Sequence, residues 1–139
     1  MNELEYEIPW SDEYLLGDEK VDNQHKRIFR MVNDLLKACD EGFDVVLLQE
    51  TLDFLVNYAV QHFNDEEELQ RRCNFPELES HRQEHEDFKK TVLDYAEEFK
   101  KGGSSADLSN VLNQVVVTWL IKHVSYEDQK ISQYINKEY

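Results

Sequence analysis

The chain has 139 residues, 40% of them hydrophobic and including seven Phe, seven Tyr and two Trp, which is enough for one domain built on one sizeable core. A formal charge of −15 and a pI near 4.6 exclude nucleic acid and an anionic membrane surface as partners, because the summed field repels a polyanion. No run approaches the roughly 18 apolar residues of a membrane span, and the acidic opening MNELEYEIPW is unlike a signal peptide. The expectation is therefore a cytoplasmic protein with a single domain over residues 1–139.

Residues 1–17 form an arm in which Ile8, Trp10, Tyr14, Leu15 and Leu16 are too apolar for a free tail, so it is expected to pack across the domain. Four segments with helical periodicity follow. The first runs from about Asp18 to Glu41, with Val21, His25, Ile28, Val32, Leu35 and Cys39 inward and Gly42 as its C-terminal stop. The second runs from about Asp44 to Cys73 through Leu48, Leu52, Leu55, Ala59, His62, Glu66 and Leu69, and breaks at Asn74-Phe75-Pro76. The third, from Glu77 to about Lys101, turns Leu78, His81, His85, Phe88, Val92, Tyr95 and Phe99 inward and ends in Gly102-Gly103-Ser104-Ser105. The fourth starts near Asp107 with Leu108, Leu112, Val115, Trp119 and His123 on one side, and a short C-terminal helix carries Ile131, Tyr134 and Ile135. Cys39 and Cys73 form no C-x-x-C pair and read as small core hydrophobes.

Amphipathic helices joined by short loops close most simply as an all-α, up-down-up-down four-helix bundle. In that topology the early part of the first and third helices and the late part of the second and fourth lie at one end. His25, His62, Glu66, His81, His85 and His123 then converge on one layer, which includes all five histidines of the chain. Residues four apart share a helix face, so His62 with Glu66, and His81 with His85, form two clamps. Asp128 follows His123 by five residues, a step of about 140° beyond a full turn, so the two share a metal only if the helix loosens, bulges or ends between them.

Seven donors are too many for one ion with an open position, and a tetrahedral zinc leaves three unexplained. Two metals bridged by the carboxylates use all seven, and mixed imidazole and carboxylate donors suit a non-haem di-iron pair. The pattern His81-Arg82-Gln83-Glu84-His85 also spells H-x-x-E-H, a zinc-peptidase signature with Glu84 as base, but that reading leaves His25, His62 and His123 unused.

The residues Gly17, Asp22, Gln24-His25-Lys26, His62-Phe63-x-x-Glu66-Glu67, Phe75-Pro76, His81-x-x-x-His85-x-x-Phe88 and Trp119-Leu120-x-x-His123-x(4)-Asp128 carry a resemblance. Over its whole length the chain resembles the hemerythrins, in particular the single-domain bacterial ones. The resemblance implies one iron held by His81, His85 and His123 and a second by His25 and His62. Glu66, Asp128 and an oxo or hydroxo group would bridge them, and dioxygen would bind reversibly at the open position of the second iron. The implied role is oxygen storage, transport or buffering rather than enzymatic turnover; the alternative is a di-iron enzyme or a sensor, using peroxide or nitric oxide chemistry or sensing oxygen or iron. With no further domain in view, a covalently attached signalling output is not expected. Two ferrous ions, two carboxylates and one hydroxide sum to a small positive charge, which favours binding over oxygenation. An apolar wall of Ile28, Phe29, Phe63, Phe88 and Trp119 is expected to keep water out.

The chain departs from the bacterial pattern at Gln70, where Met is common, and at Cys73, where an aromatic is common. Gln70 either reaches the bound ligand or holds a water, or else turns to the helix flank, and reaching the ligand leans toward reactivity. Gln24 is expected on the helix surface. In the run Asp65-Glu66-Glu67-Glu68 only Glu66 is expected to be recruited. Tyr58, Tyr126 and Trp119 are read as core aromatics or as neighbours of the ligands.

Overall fold

The computed structural model describes residues 10–42 and 44–135; Ile8 of the arm lies outside the described residues. The first, second and fourth α-helices start where the sequence supplies a side-chain acceptor for their unpaired amides. Asp18 caps α1 (Glu19–Asp40) by accepting from the Val21 amide at 3.0 Å, and Asp44 caps α2 (Val45–Arg72) through the Val46 amide at 2.7 Å. Gly42 turns the chain after α1 at φ +73°. Asn74, at φ +57°, ends α2 ahead of Phe75-Pro76, and α3 spans Leu78–Lys100. A reciprocal Ser104–Asp107 capping box starts α4 (Ser105–Val111), two residues before the expected Asp107.

The fourth arm of the bundle is one helical stretch with two wide turns. After α4 come a π-helical segment over Leu112–Val117, α5 (Thr118–Lys122), a second π-helical segment over His123–Glu127, and α6 (Gln129–Ile135). The first π segment changes the helix phase. Val115, expected inward, is exposed, and Val116 takes the buried position four residues after Leu112. The arrangement is the up-down-up-down bundle expected from the sequence, with a bent last helix.

The core consists of two apolar clusters. The larger fills the middle of the bundle with Val32, Leu35, Leu36, Leu48, Leu52, Phe99, Leu108 and Leu112. The smaller closes one end with Leu16, Val21, Leu69, Cys73, Phe75 and Ile131. On α1, Val21 belongs to the small cluster and Ile28 to the large one, so His25 lies at the boundary. Among the described residues, no helix is long and apolar enough to cross a membrane.

The described part of the arm packs on the bundle. Trp10 sits edge-on to Tyr14 and Phe29, with ring centroids 5.3 Å away in each case. The amides of Leu16 and Gly17 donate to the Asp22 carboxylate at 2.7 and 3.1 Å, and Gln129 Nε2 donates to the Tyr14 carbonyl at 2.9 Å. The arm thus touches the turn before His25 and the residue after Asp128.

Gly103 tests the packing of the α3–α4 turn. A Cβ there would lie 2.5 Å from the ring of Phe99, which is buried in the core. Gly103→Ala is expected to cost about 1–3 kcal/mol through overpacking, measured by chemical denaturation; an unchanged midpoint would show that the turn shifts freely.

Candidate metal centre

All seven residues singled out in the sequence are buried and meet at the boundary between the clusters. Donor atoms of Glu66, His81, His85, His123 and Asp128 lie within 4.8 Å of one another, and those of His25, His62 and Glu66 form a second such group. The second π-helical segment brings Asp128 into register: its amide donates to the His123 carbonyl at 2.7 Å, a five-residue hydrogen bond that absorbs the spacing a regular helix would misdirect.

Each carboxylate divides its oxygens between the two histidine groups. Glu66 Oε1 lies 3.1 Å from the Nε2 atoms of His81 and His85, and Oε2 lies 3.1 and 3.2 Å from those of His25 and His62. Asp128 Oδ1 lies 2.9 and 3.0 Å from His81 and His123, and Oδ2 lies 3.2 Å from His25.

These distances are not those of an ordinary polar network. His123 Nε2 is 3.0 Å from His81 Nε2, 2.9 Å from His85 Nε2 and 3.0 Å from Asp128 Oδ1, three close partners for an atom that carries one proton or one lone pair. Neither Asp128 oxygen makes an aligned hydrogen bond. The atoms face a shared centre instead of one another. Neighbouring donors on an octahedral ion with bonds of about 2.1 Å are about 3.0 Å apart, against about 3.4 Å on a tetrahedral one, so the donor set fits six-coordinate ions better than tetrahedral zinc.

Two orienting residues come as corrections to the sequence reading. Gln24 is buried, not on the helix surface: its Oε1 accepts from His62 Nδ1 at 2.9 Å, and its Nε2 donates to Asp65 at 2.7 Å. Glu67 is also recruited, accepting from His85 Nδ1 at 2.9 Å. Both fix the ring tautomer so that Nε2 faces the centre. The signal available in the sequence was adjacency, since each residue directly neighbours a ligand. Rings hold the remaining faces: Trp119 stacks on His123 at 4.2 Å and on Phe88 at 3.9 Å, and Phe63 stacks on His85 at 4.1 Å. Tyr126 is exposed, and Glu84 belongs to neither donor group.

An apolar cavity of about 40 Å³ adjoins the centre on its large-cluster side, lined by His25, His62 and His123 together with Ile28, Phe63, Phe88 and Trp119 among others. Phe29, expected in this wall, makes its ring contacts with Trp10 and Tyr14 of the arm. Gln70 does not line it either. The α2 residues that do, from Leu52 to Phe63, all precede Glu66, whereas Gln70 follows it by a turn. Gln70 is nevertheless fully buried and not on the helix flank.

Burial alone would lower the pKa of His25, but its contacts with Asp128 and Glu66 outweigh this and raise it to about 10. The same balance raises His81 to about 10 and His123 to about 9. His62 moves down, through burial and then the neighbouring His25 charge. Burial opposes ionisation of Glu66, yet hydrogen bonds from His123, His25, His62 and His81 hold it well below the ordinary carboxylate range. Burial and Glu66 work against Asp128 too, and His123 and His25 still pull it down.

The histidine shifts carry a definite sign. A folded-state pKa above the ordinary 6.5 gives stability that is complete below pH 6.5 and lost as pH rises through about 9–10. The metal-free protein should therefore melt at progressively lower temperature from pH 6.5 to 10, and a divalent metal added at pH 8 should displace protons that an indicator dye detects. A flat melting profile together with metal uptake that releases no protons would contradict this charge state.

Comparison with known proteins agrees with the geometry. The family described as hemerythrin HHE cation binding domain matches residues 16–135. A bacteriohemerythrin of Stenotrophomonas maltophilia is 33% identical over 88% of this chain and 77% of its own, and a myohemerythrin of Theromyzon tessulatum is 30% identical over 90% and 94%. A wild-type hemerythrin crystal structure superposes with a TM-score of 0.82 at 24% identity, covering 92% of this chain and 97% of that one. By the family match and by these relatives, the chain belongs to the hemerythrin family.

Proposed function

We propose that this chain holds two non-haem iron ions and binds dioxygen reversibly, for storage, transport or buffering. The observation that carries the reading is the division of the Glu66 and Asp128 oxygens between two histidine groups beside an apolar cavity. His81, His85 and His123 would hold one iron and His25 and His62 the other, with Glu66 and Asp128 shared. The second group has fewer protein donors, and His25 and His62, like His123, line the cavity, so dioxygen entering there would meet the less saturated group. When bound, the iron pair supplies the electrons that dioxygen takes up on binding and returns on release.

The protein's contribution is to keep that exchange reversible. Five imidazoles are neutral donors when ligated, so the two carboxylates are the only protein anions in the ligand set and the centre is not driven toward high oxidation states. Apart from the ligand histidines and the Trp119 indole, the named wall residues offer no proton, and an apolar space of this size stays dry. Excluding water withholds the protons that would turn reversible binding into irreversible oxidation. Gln70, which leaned toward an enzyme or sensor, lies beyond Glu66 from the cavity and gives that alternative no support there.

The test is the visible spectrum of the ferrous-loaded protein under argon, in air and again under argon. An absorption band that appears in air and disappears under argon supports reversible binding; immediate, permanent oxidation would sink it. Trp119→Ala should speed irreversible oxidation in air by about tenfold or more by opening the wall. Gln24→Leu, which leaves His62 Nδ1 without its acceptor, should weaken retention of one iron by about 10- to 100-fold and leave the second in place, read by chelator titration; equal loss of both would argue against separate histidine groups.

A further inference from the structure

Gln70 is fully buried, and neither Nε2 nor Oε1 of its side chain has a hydrogen-bond partner. A buried unpaired amide costs about 1–3 kcal/mol by mutational measures, so a protein that keeps one in its core has a use for it. The surroundings narrow that use. At this end of the bundle the packing is apolar, with Leu16, Val21, Leu69, Phe75 and Ile131. The nearby Cys73 thiol and Phe75 amide are taken up by the Gln70 backbone carbonyl, at 3.7 and 2.9 Å.

The Tyr134 phenol packs on the same cluster, and the buried carboxylates nearest in the α2 register are those of the centre itself. Gln70 follows Glu66 by four residues, as Glu66 follows His62, so the three occupy one face of α2. Asp128, whose buried oxygens lie close to His81, His123 and His25 without an aligned hydrogen bond, is three residues before Ile131 of the small cluster. The cavity lies on the opposite side of the ligand layer.

Building on the metal-site reading above, we propose that Gln70 is a positioning residue of the centre: its amide donates to the bridging carboxylates from the side opposite the cavity and holds them between the two ions. A carboxylate oxygen bound to a metal retains a lone pair, and the Nε2 hydrogens are the donors that Gln70 has free. In the metal-free protein the amide is a defect, because the carboxylates are drawn to the imidazoles. With metal bound it locks their orientation. The same side chain therefore has opposite effects in the two states, which mere packing would not produce.

The experiment compares wild type with Gln70→Met and Gln70→Leu, two apolar replacements of similar length or smaller, in melting temperature without metal and in chelator-driven loss of ferrous iron. Expected are a metal-free melting temperature raised by a few degrees and iron loss accelerated about tenfold or more. Iron loss at the wild-type rate in both variants overturns the role of Gln70 and leaves the metal site standing. Wild-type protein that retains no iron overturns the metal-site reading and this proposal with it. A variant that fails to fold without metal overturns the proposal too, since it would mean that the amide is paired in that state.

Discussion

The rest of the structure answers to the burial of two ionised carboxylates, Glu66 and Asp128, neither with any solvent exposure. Withdrawing such a group from water costs several kcal/mol after relaxation, and only close positive charge repays it. Without metal, Asp128 and Glu66 raise the pKa of His25, His81 and His123, which favours protons on these rings as the offsetting charge. Two divalent cations would meet it better, freeing the imidazoles to act as neutral donors. A bundle that stores this much negative charge in its core is suited to hold cations there.

The apolar surroundings have two distinct tasks. On one side the large cluster leaves a small cavity beside His25 and His62, so the least saturated part of the donor set faces a space that water does not favour. On the other side the small cluster and the arm close the end, with Asp22 tied to Leu16 and Gly17, and Gln129 tied to Tyr14. The two histidine groups also differ in what holds their outer nitrogens. His62 leans on the neutral amide of Gln24, and His85 on the carboxylate of Glu67. A carboxylate acceptor makes its imidazole the stronger donor, so metals held by the two groups would be electronically unequal.

Much of this was legible in the sequence because it is local. Helix limits follow from caps such as Asp18 and Ser104 and from breaks such as Pro76, all read within a few residues. The convergence of His25, His62, His81, His85 and His123 follows from helix period and antiparallel order together. Even the irregularity between His123 and Asp128 was legible, because five residues do not fit a regular turn. Val115 and Val116 show where such reasoning fails: the first π-helical segment shifts the phase, and no residue type in Leu112–Val117 announces it.

By itself, the sequence determined the bundle, its handful of donors and their placement at one end, since these depend on residue type and spacing along single helices. Only the tertiary structure decided what each donor faces. It assigned the two oxygens of each carboxylate to different histidine groups, turned Gln24 and Glu67 inward against His62 and His85, gave Phe29 to the arm instead of the cavity, and buried Gln70 on the closed side. Those outcomes depend on rotations about helix axes and on contacts between residues some 40 positions apart, as in Gln24 with His62 and His81 with His123, for which one-dimensional spacing carries no information.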